Sequence, residues 1–114
     1  MGCMFNECHE LKEIKGINKF DTSNVKNMKV MFQGCYKLLN LELNFDTSNV
    51  TDMGCMFNEC HELKEIKGIN KFNTSNVINM NAMFQKCNKL INLELILIHQ
   101  MLQIWDLCLM NVMN

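Results

Sequence analysis

Seven cysteines stand among 114 residues, and the first ten residues, MGCMFNECHE, gather several groups with chemistry to offer. Gly2-Cys3 has the form of an acylation signal. Cys3, Cys8 and His9 are potential metal ligands. HELKE, at 9–13 and again at 61–65, is half of the zinc-protease motif. Each reading fails on spacing. N-myristoylation prefers Ser or Thr at the sixth position, where Asn6 stands, and Gly54-Cys55 repeats the dipeptide internally. Zinc sites favour cysteines about two to four residues apart, in two close pairs; Cys3 and Cys8 have no second pair nearby. HELKE lacks the second His that H-E-x-x-H requires. No nucleophile–base arrangement, phosphate loop or paired-carboxylate site stands out. The sequence therefore predicts no enzyme, no metal and no cofactor.

These residues belong to a repeat. Residues 1–20 recur unchanged at 53–72, an offset of 52, and carrying the comparison to Leu43 against Leu95 leaves seven differences in 43 positions. A shorter unit lies inside. Met-Phe occurs at 4–5, 31–32, 56–57 and 83–84, and [DN]TSNV at 21–25, 46–50 and 73–77. The units run roughly 1–20, 21–45, 46–72 and 73–95, so about 3.5 repeats of 25–27 residues are present. Cys8, Cys35, Cys60 and Cys87 fall at one position per copy. A column of small buried thiols accounts for that, free Cys being among the most buried residue types. Disulfides between neighbouring copies stay open at this point, whereas Cys3 and Cys55, two copies apart, exceed the reach of a disulfide.

Two elements must position the unit. Val25, Met28, Met31, Phe32 and Cys35 fall at helical spacing. Thr22, Ser23 and Asn24 ahead of them suit a helix start, and Asn49 and Asp52 have capping-box spacing. Each TSNV is thus expected to open a helix of two to three turns, with Met1, Met4, Phe5 and Cys8 as the core face of the first. Leu41-Glu42-Leu43 alternates as a half-buried strand does. In the 27-residue copies Lys15-Gly16 is expected to bulge outward between Ile14 and Ile17. One such helix and strand cannot bury their own apolar faces, but stacked copies can. The expected fold is α/β: a right-handed solenoid with one short strand and one short helix per repeat.

FDTSNVTDMGCMFNEC followed by ELKEI, and NMKVMFQGCYKLLNLEL, resemble the repeat of roughly 25 residues of BspA-like leucine-rich repeat surface proteins. The resemblance covers residues 1–95. It implies a leucine-rich-repeat-like solenoid and a role in surface display, adhesion or ligand binding, with no catalytic residues to carry over.

Net charge is −1, all eleven basic residues are Lys, and Pro is absent. Nothing there favours nucleic acid or an anionic membrane, and missing Arg weakens any case for bidentate anion recognition. The bias toward Asn, Ile, Lys and Met reads as an AT-rich coding sequence. The first thirty residues lack a basic stretch followed by an apolar core, so no signal peptide is seen, and no apolar run is long enough to span a membrane. The compartment stays open, although the family resembled is typically cell-surface or secreted.

The solvent-facing polar residues form a candidate binding stripe: Glu7, His9, Glu10, Lys12 and Glu13, repeated as Glu59, His61, Glu62, Lys64 and Glu65. A plain solvated charged stripe is the competing reading. The partner expected is a protein or a glycan, with self-association through open solenoid ends or an apolar tail as a further expectation. That tail, 96–114, reads ILIHQMLQIWDLCLMNVMN where the repeat leads one to expect NFDTSNVTDMGCMFNECHE. AT-rich codons for the expected stretch, read one base late, reproduce eighteen of its nineteen residues. The tail is therefore read as a frameshifted repeat, which makes a degenerate, truncated gene fragment without selected function the alternative to a binding module.

Overall fold

A computed structural model describes residues 1–90. The strands are β1 (Asn40–Glu42) and β2 (Glu65–Lys67), and single 3-10 turns cover Ile17–Lys19 and Ile69–Lys71. β1 and β2 pair in parallel, Asn40 opposite Glu65, Leu41 opposite Ile66 and Glu42 opposite Lys67. Leu41 and Ile66 are buried and their strand neighbours exposed, the alternation a one-sided strand requires. A second parallel line joins Asn27 to Asp52 and Asp52 to Asn79. Along the Met-Phe segments each copy donates to the next: Phe5 N–H to Met31 O at 2.9 Å, Phe32 N–H to Met56 O at 2.8 Å, Phe57 N–H to Met83 O at 2.9 Å.

The helix expected after each TSNV is absent: no α-helix occurs among the described residues. Three-residue turns take its place, closed by Met31 N–H to Met28 O (3.3 Å), Gln33 N–H to Val30 O (3.2 Å) and Cys35 N–H to Phe32 O (3.2 Å). Between them the backbone turns left-handed at Val30 (φ 51°) and Gly34 (φ 76°), and at Cys3, Glu7, Cys55, Glu59, Ala82 and Lys86 in the other copies. That conformation costs a non-glycine residue roughly 1–2 kcal/mol. It aims alternate N–H groups at the neighbouring copy instead of back along the chain, so backbone pairing between copies offsets it. Successive three-residue turns give the same i, i+3 spacing of apolar residues as a helix does.

TSNV is a fastener between copies and not a helix cap. Thr22 is buried, and its hydroxyl accepts from Asp46 N–H at 2.8 Å and donates to Asp46 O at 3.2 Å. Thr47 holds Asn73 the same way, at 2.8 and 3.1 Å. The Asn49 amide donates to Ser23 O, and that of Asn76 to Ser48 O, both at 2.7 Å. The capping box expected of Asn49 and Asp52 does not form; Asp52 Oδ1 accepts from Gly54 N–H at 2.8 Å and the Asn79 amide at 3.1 Å.

The core is made of columns. Phe5, Phe32, Phe57 and Phe84 stack with centroids 5.6, 5.3 and 5.4 Å apart and rings within 8° of parallel. Met28, Met53 and Met80, then Met31, Met56 and Met83, then Leu38 and Leu63, are buried beside them; each such side chain contributes about 1.5–3 kcal/mol on burial. The first copy departs from expectation. Met4, assigned to the core face, is 51% exposed, because no copy lies on its outer side among the described residues. The bulge expected between the two isoleucines lies later in the third copy: Lys67 still pairs with Glu42 and Phe72 stacks on Phe45, so the two extra residues fall between them, in 68–71. Gly68 takes φ 93°, and the 3-10 turn after it returns Ile69 and Phe72 to the core. A Cβ on Gly68 would lie 2.0 Å from Leu43 O. The frameshift reading of 96–114 falls outside the described residues.

Candidate binding face

The turn side of the molecule carries the first half of the candidate stripe. His9, Tyr36 and His61 stack there face to face, with centroids 4.4 and 5.1 Å apart. Glu7 Oε2 lies 2.6 Å from His9 Nε2, and the Glu7 carboxylate sits against Gly34. Lys37 donates to Glu10 at 2.7 Å, Lys89 to Glu62, and Lys86 reaches Glu59 at 3.5 Å. The Lys37 and Lys89 ammonium groups hold the Glu10 and Glu62 carboxyls below the usual range, chiefly through those hydrogen bonds. Desolvation pushes the Tyr36 phenol up, and the Glu59 and Glu7 carboxylates add to it. Glu7, His9, Glu10, Glu59, His61 and Glu62 are thus engaged with one another or with the adjacent copy. Exposed pairs of this kind are worth little individually, but they mark the alignment of neighbouring copies.

The strand side is different. Glu13 and Lys15 approach each other at 3.7 Å, while Lys12, Lys64, Glu65, Glu42 and Lys67 form no ion pair among the described residues. A shallow open depression of about 560 Å³ runs across β1 and β2. Ile14, Leu39 and Leu41 supply its apolar part, and Lys12, Glu13, Asn40, Glu42, Glu65 and Lys67 its polar part. The structure therefore brings Lys12, Glu13 and Glu65 from the candidate stripe together there. Lys64 stands beside the depression, its N–H donating to Leu39 O at 2.9 Å. Asn40, Glu42 and Lys67 also line the depression and lie outside the stripe read from the sequence. The signal for them was present, since they are the outward members of the alternating strands.

The six cysteines among the described residues are free thiols. Cys35 Sγ donates to Phe5 O at 3.2 Å, Cys60 Sγ to Phe32 O at 3.2 Å and Cys87 Sγ to Phe57 O at 3.0 Å. Burial pushes Cys35 up to about 11 and Cys87 to about 12, and raises Cys60 as well. Thiols so held are poor nucleophiles and poor ligands, because the thiolate is the reactive form. Among the described residues no three His, Cys, Asp or Glu side chains gather as a metal site, and no helix is long and apolar enough to cross a membrane.

A family model described as "Mycoplasma protein of unknown function, DUF285" matches residues 1–111. No curated protein and no solved structure matches the chain.

Proposed function

The chain belongs to the DUF285 family, and from that premise we propose that it is a non-enzymatic repeat module that binds protein or glycan through its strand side. In this reading the copies form a leucine-rich-repeat-like right-handed solenoid of the BspA-like kind, suited to surface display and adhesion. The parallel β1–β2 pair, the phenylalanine column and the copy-to-copy hydrogen bonds support that architecture.

One observation carries the choice of face. The turn-side charges are spent on one another or on neighbouring copies, whereas Lys12, Glu42, Glu65 and Lys67 on the strand side form no ion pair among the described residues. Polar groups of both signs over a partly apolar floor suit a protein or glycan surface, where a few placed polar groups set orientation.

Binding of the full chain to glycan and peptide arrays, followed by titration of the strongest hits, tests this. Saturable binding is expected. Glu42→Lys with Glu65→Lys abolishes it, while His9→Ala on the turn side leaves it unchanged. Absence of saturable binding, or equal loss from the two sets of variants, overturns the reading.

A further inference from the structure

The strand side sets two identical charged stretches around a nearly uncharged one. Lys12-Glu13-Ile14-Lys15 and Lys64-Glu65-Ile66-Lys67 are one sequence, and the copy between them reads Leu39-Asn40-Leu41-Glu42 at the same place. The backbone aligns the three. Leu39 N–H donates to Lys12 O at 3.1 Å, and Lys64 N–H to Leu39 O at 2.9 Å. Asn40 lies opposite Glu65 and Glu42 opposite Lys67, while Glu13 follows Lys12 as Asn40 follows Leu39. Leu39 thus has a lysine on each side and Asn40 a glutamate on each side, the flanking residues standing roughly 9–10 Å apart at two strand spacings. These lysines and glutamates are exposed, as is Asn40, and Leu39 is an apolar side chain 40% open to solvent between them. Glu13 and Lys15 approach at 3.7 Å; the other charges form no ion pair among the described residues, and Glu42 does not pair even with Lys67 across the strands.

Building on the strand-side reading proposed above, we infer that the partner of this face is an extended peptide with acidic and basic side chains alternating on one side, laid along the line of Leu39, Asn40 and Glu42. Two features select a peptide over a glycan. No aromatic ring lines the depression; Ile14, Leu39 and Leu41 are its apolar floor. That floor gives a sugar ring no flat face to stack on, but it suits the methylene stems of long charged side chains. The charges also carry both signs in a fixed order: Lys12 and Lys64 first, Glu13 and Glu65 next, then Glu42 beside Lys67. A neutral glycan leaves all of them without a counter-charge, and an acidic glycan meets the carboxylates of Glu13, Glu42 and Glu65. An extended peptide places alternate side chains on one face about 6.6 Å apart. An acidic side chain between Lys12 and Lys64 therefore puts a basic one, two residues away, among Glu13, Glu65 and Glu42.

The test titrates the full 114-residue chain into fluorescein-labelled synthetic peptides and follows their anisotropy. The probe carries Glu and Lys alternately at every second position with Thr between. Control peptides carry Glu alone, Lys alone or Gln at those positions. The probe should bind saturably, at least tenfold tighter than any control, and weaken as salt is raised. Leu39→Lys with Asn40→Glu gives the middle copy the residues that its neighbours already carry there, so it fills the uncharged line with side chains the fold accommodates. It should weaken the probe at least tenfold and leave the unfolding midpoint in place. Glu13→Gln with Glu65→Gln, both exposed, is a second variant expected to weaken it at least fivefold. A control peptide that binds as tightly as the probe, or binding that neither double variant weakens, overturns the inference. An array glycan that binds saturably and is lost with Glu42→Lys and Glu65→Lys, while no peptide binds, overturns it and leaves the strand-side reading standing. Saturable binding of neither class overturns both.

Discussion

The twin segments 1–20 and 53–72 share a backbone and differ in burial. Their left-handed residues coincide: Cys3 and Cys55 at φ 67° and 54°, Glu7 and Glu59 at 64° and 63°, Gly16 and Gly68 at 81° and 93°. Their turn bonds coincide too, Cys8 N–H to Phe5 O and Cys60 N–H to Phe57 O both being 3.2 Å. Yet Glu65–Lys67 is a paired strand and the same residues at 13–15 are not. Phe57 lies between two rings, and Phe5 against one. The turns are therefore a local property of the sequence, while strand and core are properties of having neighbours on both sides. That is the behaviour of a repeat array, in which each unit's stability is largely the sum of its interfaces.

The largest test of that difference is the phenylalanine column. Phe57→Ala opens a cavity in a fully buried site and should cost about 3–5 kcal/mol. Phe5→Ala should cost clearly less, since Phe5 is only partly buried. Urea unfolding of the two variants measures both, and equal losses would break the comparison.

Glycine comes next. Gly68→Ala places a methyl 2.0 Å from Leu43 O in a left-handed backbone, so it should cost more than the roughly 1–2 kcal/mol of the conformation alone. Gly16→Ala meets nothing within 4 Å and should cost only that conformational amount. Thermal unfolding midpoints separate the two.

How much of this was legible in the sequence follows the same line. The repeat exposed the core positions, because Met31, Phe32, Cys35 and Leu38 recur at fixed places and all are buried. The helix was misread because a three-residue turn and a helix give the same short apolar spacing, and nothing in Val30 or Ala82 announces a positive φ. Thr22 looks like a cap in the sequence because its partner Asp46 lies 24 residues on, and Thr47 finds Asn73 at a similar remove of 26. A local rule does not see so far. The turn-side pairings had a signal that went unused: Glu10, Lys37, Glu62 and Lys89 alternate in sign at one repeat position. The strand-side depression was half legible, as the stripe held Lys12, Glu13 and Glu65 but passed over Asn40, Glu42 and Lys67.

Thiol labelling sharpens the comparison without perturbing it. Cys3 is exposed, Cys8 half-buried and Cys60 fully buried, so native-state iodoacetamide should modify Cys3 first, Cys8 next and Cys60 only on unfolding. Mass mapping of the time course checks the order. Burial also gives these thiols a pH signature. The folded Cys35 value, about 11, lies above that of an unfolded thiol at about 8.5. Its contribution is therefore intact below about pH 8.5 and is lost as pH rises through about 11. The unfolding midpoint should fall across that window, and Cys35→Ala should flatten the fall.

The smallest effect concerns a place where the twins should agree. Glu10 and Glu62 differ in exposure, yet each meets a lysine from the following copy, Lys37 and Lys89. Both carboxyls are held below the usual range by that lysine. A depressed folded pKa contributes stability above the unfolded value, and the contribution disappears as pH falls through the folded one. Exposed pairs are screened by salt, so the change in stability should be slight and smaller still at high ionic strength. Carboxyl shifts followed by NMR from pH 7 downward should show both groups titrating below an ordinary glutamate. Lys37→Ala should release Glu10 alone, and Lys89→Ala Glu62 alone. If Lys37→Ala also moved Glu62, the pairs would belong to one connected column of charge. Copy-to-copy alignment would then be set by the whole stripe and not by single partners.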